Sequence, residues 1–204
     1  MKRFLLAAVT ATLSVTMVPS ISPATYAAEK TAIFAGGCFW CIEKDFEHVS
    51  GVIDVVSGYT GGSLKNPTYR NHSGHREAVK ITYDDSKVGY DQLLSVFWRT
   101  VDPTDDGGQF CDRGYAYSTA VYALNGDQLS LAQVSKKQAA SELGQPIATE
   151  IAMASFWTDS EDYHQNYYKK NPVRYKYYRY RCGRDQRVKD LWGDQAYKGV
   201  VHGS

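Results

Sequence analysis

Hydrophobic and polar positions follow two rhythms along this chain. Ala78-Val79-Lys80-Ile81-Thr82-Tyr83 alternates with period two, which predicts a half-buried strand with Glu77 at its start. Residues 31–35, 118–124 and 147–153 are short apolar runs rich in β-branched and aromatic side chains and read as further strands. Residues 51–62 read as another strand that runs into a glycine-rich loop. Elsewhere the spacing is helical. Ile42, Phe46 and Val49 recur among Glu43, Lys44, Asp45 and Glu47, and Leu93, Leu94, Phe97 and Trp98 recur within residues 89–99. Residues 127–143 make a long amphipathic helix. Ser160 is read as the N-cap of a helix that carries Glu161 and Asp162 in its first turn and ends before Pro172. The tail from Tyr175 to Trp192 alternates aromatic and basic residues and is expected to pack across the domain, with residues 184–192 helix-like. Strands and helices mixed in this way, partly in β-α-β order, predict a single α+β domain built as a sandwich.

Composition narrows the function. The chain has 204 residues, 43% hydrophobic and 22% charged, enough for one core. A formal net charge of +1 gives no field for capturing nucleic acid, so the basic aromatic run from Arg174 to Arg181 is read as a packed, solvated face. The first residues differ from the rest: Lys2 and Arg3 precede a short apolar stretch and a small-residue site at Thr25 and Ala27. That pattern predicts a secretory signal peptide over residues 1–27, a mature domain from residue 29 to 204, and a periplasmic or extracellular location. The alternative is an uncleaved N-terminal membrane anchor.

In an oxidising compartment the four cysteines Cys38, Cys41, Cys111 and Cys182 could form two staples in any of three pairings. The context of Cys38 favours chemistry instead. Gly36-Gly37-Cys38-Phe39-Trp40-Cys41 lies between a predicted strand and a predicted helix. The glycines allow a sharp turn, and a sulfur in the first turn meets unpaired N–H groups that favour a thiolate. Cys41, one turn on, can attack an oxidised Cys38 as a resolving thiol. Glu77 can serve as a proton donor if burial keeps its carboxyl protonated, and a solvated charge is the alternative. Tyr69, presented by the Asn66-Pro67-Thr68 turn, and Tyr117 offer phenols to a polar substrate oxygen, although packing is the commoner fate of one tyrosine among 16. Asp112 could orient a polar group or simply form a turn. A zinc site from Cys38, Cys41, His72 and His75 is disfavoured by the short histidine spacing. The glycine loop lacks a phosphate-binding lysine and a following helix.

Several of these stretches taken together resemble peptide-methionine (S)-S-oxide reductases, the A-type methionine sulfoxide reductase family. They are Gly36-Gly37-Cys38-Phe39-Trp40, Ser57-Gly58-Tyr59-Thr60-Gly61-Gly62, Asn66-Pro67-Thr68-Tyr69, Gly74-His75-Arg76-Glu77-Ala78-Val79, Asp112-Arg113-Gly114 with Tyr117, and Glu161-Asp162-Tyr163-His164-Gln165. The resemblance implies a two-layer α+β fold with a ferredoxin-like core. It also implies that Cys38 attacks the sulfoxide sulfur, that Phe39 and Trp40 hold the substrate methyl group, and that Glu77 protonates the oxygen, with Tyr69 and Tyr117 hydrogen-bonding it and Asp112 arranging the polar side. Cys38 would become a sulfenic acid and then a disulfide, recycled by an external thioredoxin-like dithiol with no metal or organic cofactor. Substrates would be methionine sulfoxide, free or in proteins, and the enzyme a monomer. The chain departs from many relatives at the resolving thiol, for which Cys41 is the first choice, Cys182 the second and Cys111 the third. The rival readings are a thioredoxin-like dithiol exchanger and a disulfide-stapled binding domain.

Overall fold

The computed structural model describes residues 28–201, and the expected signal peptide lies outside the described residues. Strand β1 (Glu29–Gly36) leads through a two-residue turn into α1 (Phe39–Glu47), followed by β2 (Val52–Thr60), β3 (Arg76–Asp84) and α2 (Tyr90–Trp98). A small hairpin, β4 (Gly108–Gln109) with β5 (Asp112–Arg113), comes next. Then follow β6 (Thr119–Ala123), α3 (Gly126–Leu143), β7 (Glu150–Met153) and β8 (Trp157–Asp159). The chain ends in α4 (Tyr167–Lys170), α5 (Pro172–Arg181) and α6 (Arg184–Trp192).

The main sheet has six strands in the order β7-β6-β1-β3-β2-β8, with β6 and β7 parallel and the other pairs antiparallel. Helices α1 and α2 cover one face. Phe34, Phe46, Val79, Ile81, Leu93, Phe97 and Val121 meet there in the main core, and α3 extends it along β6. On the opposite face a smaller cluster of Ile33, Ala35, Ala78, Ala120 and Tyr122 is capped by Trp157. Burial on both faces explains why β1 reads as a continuous apolar run rather than an alternating one. Mixed sheet and helices thus form one domain. No helix among the described residues is long and apolar enough to cross a membrane.

The predicted elements fall where the spacing placed them, with three corrections. β2 continues through Gly58, Tyr59 and Thr60, because β3 and β8 pair with it on either side and outweigh the glycine signal. No helix opens at Ser160. Its Oγ accepts from Gln165 Nε2 (2.9 Å), and Glu161 is spent on two tyrosines, so the segment folds as turns until α4. Pro172, read as a stop, instead occupies the first turn of α5, where a missing N–H costs nothing. The tail does cross the domain. Arg179 on α5 pairs with Asp45 on α1 (3.0 Å), and Arg184 on α6 reaches the carbonyl oxygens of Gly36 (3.1 Å) and Thr100 (3.0 Å).

Candidate active site

The Gly36-Gly37 turn aims the chain from β1 into α1 and leaves no room for side chains. Gly37 has φ 86°, and a Cβ there would lie 2.6 Å from Cβ of Gln109. Cys38 therefore stands at the N-cap of α1 with its side chain free of any capping bond, and its carbonyl accepts from Cys41 N (3.1 Å). Both sulfurs face inward, with Cys38 6% and Cys41 2% exposed, and neither is in a disulfide.

The charge distribution in this pair reverses the expectation for Cys38. Burial pushes the Cys38 thiol well up, and the neighbouring Cys41 and Glu77 push the same way. Cys41 is moved down, first by the hydrogen bond from Cys38 and then by the Arg184 and Arg179 guanidiniums. A thiolate is thus disfavoured at Cys38 and favoured at Cys41. A helix N-terminus alone does not overcome desolvation at a nearly sealed sulfur. Tyr178, whose hydroxyl donates to Asp112 Oδ2, pulls the Cys38 thiol in the opposite, downward direction.

Glu77 enters from β3, opposite Tyr59 on β2. Its carboxyl is 1% exposed, and burial pushes it up to about 8, although Phe39 N donates to Oε2 (3.0 Å) and partly opposes this. The solvated-charge reading of Glu77 is thereby replaced by a buried carboxyl that favours its proton and, among the described residues, accepts from the backbone N of the residue after Cys38. Phe39 is 1% exposed and packs against Tyr59 and His164, so it forms the floor of the site. Trp40 is half-buried, stacks flat on Tyr167 (3.7 Å between centroids) and receives the edge of Tyr178.

The Tyr69 and Tyr117 phenols are each pushed up, first by burial and then by Glu77, with Asp112 and Cys38 acting in the same direction. Tyr69 is held through its backbone N, which donates to Glu161 Oε1 (2.9 Å), while Glu161 Oε2 accepts from Tyr59 (3.1 Å). Asp112 is more than a turn residue: its Oδ2 accepts from the Tyr178 hydroxyl.

Three contributors were not singled out as site residues in the sequence. His164 is 2% exposed, accepts from Trp40 Nε1 (3.0 Å) at Nδ1, and lies between Phe39 and Tyr69. Its stretch, residues 161–165, carried part of the family resemblance, so a signal existed without a role attached. Tyr178 and Arg184 had no local signal. The remaining cysteines are paired with each other, Cys111–Cys182, with Cα atoms 4.8 Å apart, so in this state neither offers a thiol to Cys38. His75 has both ring nitrogens engaged, by Gly62 N (3.3 Å) and the Leu64 carbonyl (3.0 Å), and His72 stacks on Tyr59. Among the described residues, the one metal-type grouping is Cys111, Asp112 and Cys182, whose two sulfurs are bound in that disulfide.

The comparisons with known proteins agree with this chemistry. A family model described as "Peptide methionine sulfoxide reductase" matches residues 30–196. The chain is 52% identical over 182 residues to the peptide methionine sulfoxide reductase MsrA 2 of Rhizobium meliloti, covering 88% of this chain and 92% of that one. It is 49% identical over 194 residues to its namesake from Caulobacter vibrioides, covering 93% and 96%. The solved methionine sulfoxide reductase A of Corynebacterium diphtheriae superimposes with a TM-score of 0.68 at 32% identity, over 71% of this chain and 76% of that one. With these likenesses spanning the dithiol, the buried acid and the aromatic floor, the chain belongs to the peptide methionine sulfoxide reductase family and is a thiol-dependent oxidoreductase of that activity.

Proposed function

We propose that Cys38 is the nucleophile, Glu77 the acid and Cys41 the resolving thiol in reduction of the S epimer of methionine sulfoxide. The observation that carries this reading is the burial together of Cys38 at the N-cap of α1, Cys41 one turn on, and Glu77, whose Oε2 accepts from the N of Phe39 next to Cys38. One thiol proton and the Glu77 proton are the two protons needed to turn the sulfoxide oxygen into water. On substrate binding, Cys38 passes its proton to Cys41 and attacks the sulfoxide sulfur, and Glu77 protonates the oxygen. The hydroxyl then passes from the substrate sulfur to the Cys38 sulfur as the S–S bond made by the attack breaks, so methionine leaves and Cys38 is left as a sulfenic acid beside an ionised Glu77. Cys41 then surrenders its proton, by way of Glu77, to the departing hydroxide and attacks Cys38. One S–S bond and one water form, two thiol electrons have moved to the substrate, and the net charge of the site is unchanged.

Tyr69 and Tyr117 hydrogen-bond the sulfoxide oxygen, with Asp112 and Tyr178 ordering that polar side. Trp40 and the Phe39 floor receive the methyl group. Fixing the oxygen and the methyl on opposite sides selects one epimer. A Cys38–Cys41 disulfide calls for an external dithiol of thioredoxin type and for no organic cofactor. The order β6-β1-β3-β2, with α1 and α2 as crossovers, supports a two-layer sandwich with a ferredoxin-like core. We also place the mature domain, from residue 29 and acting as a monomer, outside the cytoplasm, as the basic and then apolar leader suggests. Cell fractionation and N-terminal sequencing distinguish a cleaved exported chain from an anchored one.

The testing experiment is dithiothreitol-driven reduction of peptides carrying the S or the R sulfoxide, with wild type, Cys38→Ser and Glu77→Gln. Turnover of the S peptide alone, lost in Cys38→Ser, is expected. Cys41→Ser should retain dithiothreitol-driven turnover and lose thioredoxin-driven turnover. Disulfide exchange without sulfoxide turnover would refute the assignment and favour a thioredoxin-like exchanger.

A further inference from the structure

The basic and aromatic run on α5 is left unused by the catalytic scheme. Residues 163–184 hold seven Lys or Arg and no Asp or Glu, while the whole chain carries a formal charge of +1, so this positive stretch stands against an acidic remainder. Helix α5 sorts the run into two faces. Tyr175 and Arg179 turn inward, and Arg179 is compensated by Asp45 (3.0 Å) and Asp185 (2.7 Å). Val173, Tyr177 and Tyr180 turn outward, 82%, 66% and 82% exposed. Spaced four and then three residues apart, they form one line along the helix. Arg174 and Arg181 flank that line on one side and Lys176 on the other, and all three are exposed.

Among the described residues, Arg174, Lys176 and Arg181 make no ion pair or hydrogen bond. Lys170, exposed at the end of α4, bonds the carbonyl oxygen of Asp162 (2.6 Å) rather than a carboxylate. Hydration accounts for exposed cations. It does not account for three apolar tips lined up between them, and an apolar patch rimmed by charge marks a binding surface.

The charge on this face calls for an anionic partner, and its apolar tips call for a partner with an apolar layer beneath the charge. An anionic lipid surface offers both. Its phosphates meet the cations at headgroup depth, its interface accepts phenols that keep their hydroxyls wet, and its acyl boundary receives Val173. A nucleic acid offers phosphates to the cations and bases to the tyrosines, but gives Val173 little to bury against. Side chains this exposed also stand out from the surface rather than line a groove, as a flat partner requires.

We propose that the outward face of α5 docks on an anionic lipid surface, with Arg174, Lys176 and Arg181 at the headgroups and Val173, Tyr177 and Tyr180 in the interface. The docking does not depend on the roles assigned to Cys38, Cys41 and Glu77. It does bear on where they work: Tyr178, on the same helix, meets Trp40 edge-on, so a docked chain holds its sulfoxide site close to the lipid.

The test is flotation of the full chain with vesicles of phosphatidylcholine, alone or mixed with phosphatidylglycerol, at low and high salt. Nitration of Tyr177 and Tyr180 by tetranitromethane, mapped with and without vesicles, gives the footprint. Binding about a hundredfold tighter to the anionic vesicles is expected, lost at high salt, with both tyrosines protected. Replacing the three cations together (Arg174→Gln, Lys176→Gln, Arg181→Gln) should weaken that binding about a hundredfold, and Val173→Ser with Tyr177→Ser about tenfold. All five positions are exposed, so both variants should fold and turn over free methionine sulfoxide at the wild-type rate. Residues 1–27 are common to every variant, so the differences between variants and the tyrosine footprint report α5 alone. Equal binding to the two kinds of vesicle, anionic binding that neither variant weakens, or tyrosines nitrated as fast on vesicles as off them would overturn the proposal. Tighter binding to a DNA oligonucleotide than to the anionic vesicles would overturn it too, and would make nucleic acid the partner of this face.

Discussion

Replacing Glu77 by glutamine should make the protein more stable while nearly abolishing its chemistry. The carboxyl is 1% exposed and lifted from 4.5 to about 8 by burial. The folded chain therefore keeps a proton that the unfolded chain releases. Stability linked to this group is complete below the unfolded value and is lost as pH rises through the folded one. At pH 7, holding that proton costs about 3 kcal/mol at 1.36 kcal/mol per unit. Glutamine has no proton to lose, is nearly the same size, and its amide oxygen can still accept from Phe39 N. The variant is thus expected to gain about 3 kcal/mol at pH 7, roughly 6–12 °C in Tm for a domain of this size. At pH 5 the gain should shrink below about 1 kcal/mol. Glu43, also buried and lifted to about 7, titrates in both proteins and cancels from the comparison. Turnover of the S-sulfoxide should fall about 100- to 10,000-fold through loss of the acid. Thermal unfolding of the reduced proteins by circular dichroism between pH 5 and 8 measures the difference. A gap independent of pH, or a glutamine variant less stable than wild type at pH 7, would show that Glu77 is ionised in the fold and would refute the acid assignment.

Tyr178→Phe removes the hydroxyl that bonds Asp112 and favours the Cys38 thiolate. A hydrogen bond of about 1 kcal/mol predicts about fivefold slower methionine formation in single turnover, with the resolving step unaffected; an unchanged first step would remove Tyr178 from the site. Replacing Cys111 and Cys182 together by serine opens a disulfide that spans 71 residues. That should cost up to about 4 kcal/mol in denaturant unfolding while thioredoxin-driven turnover persists. Loss of that turnover at unchanged dithiothreitol activity would move the resolving role to Cys182.

The local sequence determined the strand, the glycine turn and the helix that place Cys38 at an N-cap, because each follows from short-range sterics and the period of apolar residues. Alternation along residues 78–83 likewise set the strand that Glu77 begins. Tertiary structure decided the chemistry of those groups. Burial disfavours a thiolate at the N-cap sulfur of Cys38, while the hydrogen bond with Cys38 and the Arg184 and Arg179 guanidiniums, distant in sequence, favour one at Cys41. Glu77 keeps its proton only because β2, α1 and the aromatic side chains exclude water from it. Glu161, expected to serve a helix terminus, holds Tyr59 and Tyr69 instead, since two long-range hydrogen bonds outweigh one favourable placement near a dipole. The pairing of Cys111 with Cys182 was equally out of reach, as spacing alone admits every partner and only the approach of α5 to the β4–β5 hairpin selects one. Periodicity is a property of neighbours along the chain. The charge a buried sulfur carries is set by neighbours in space.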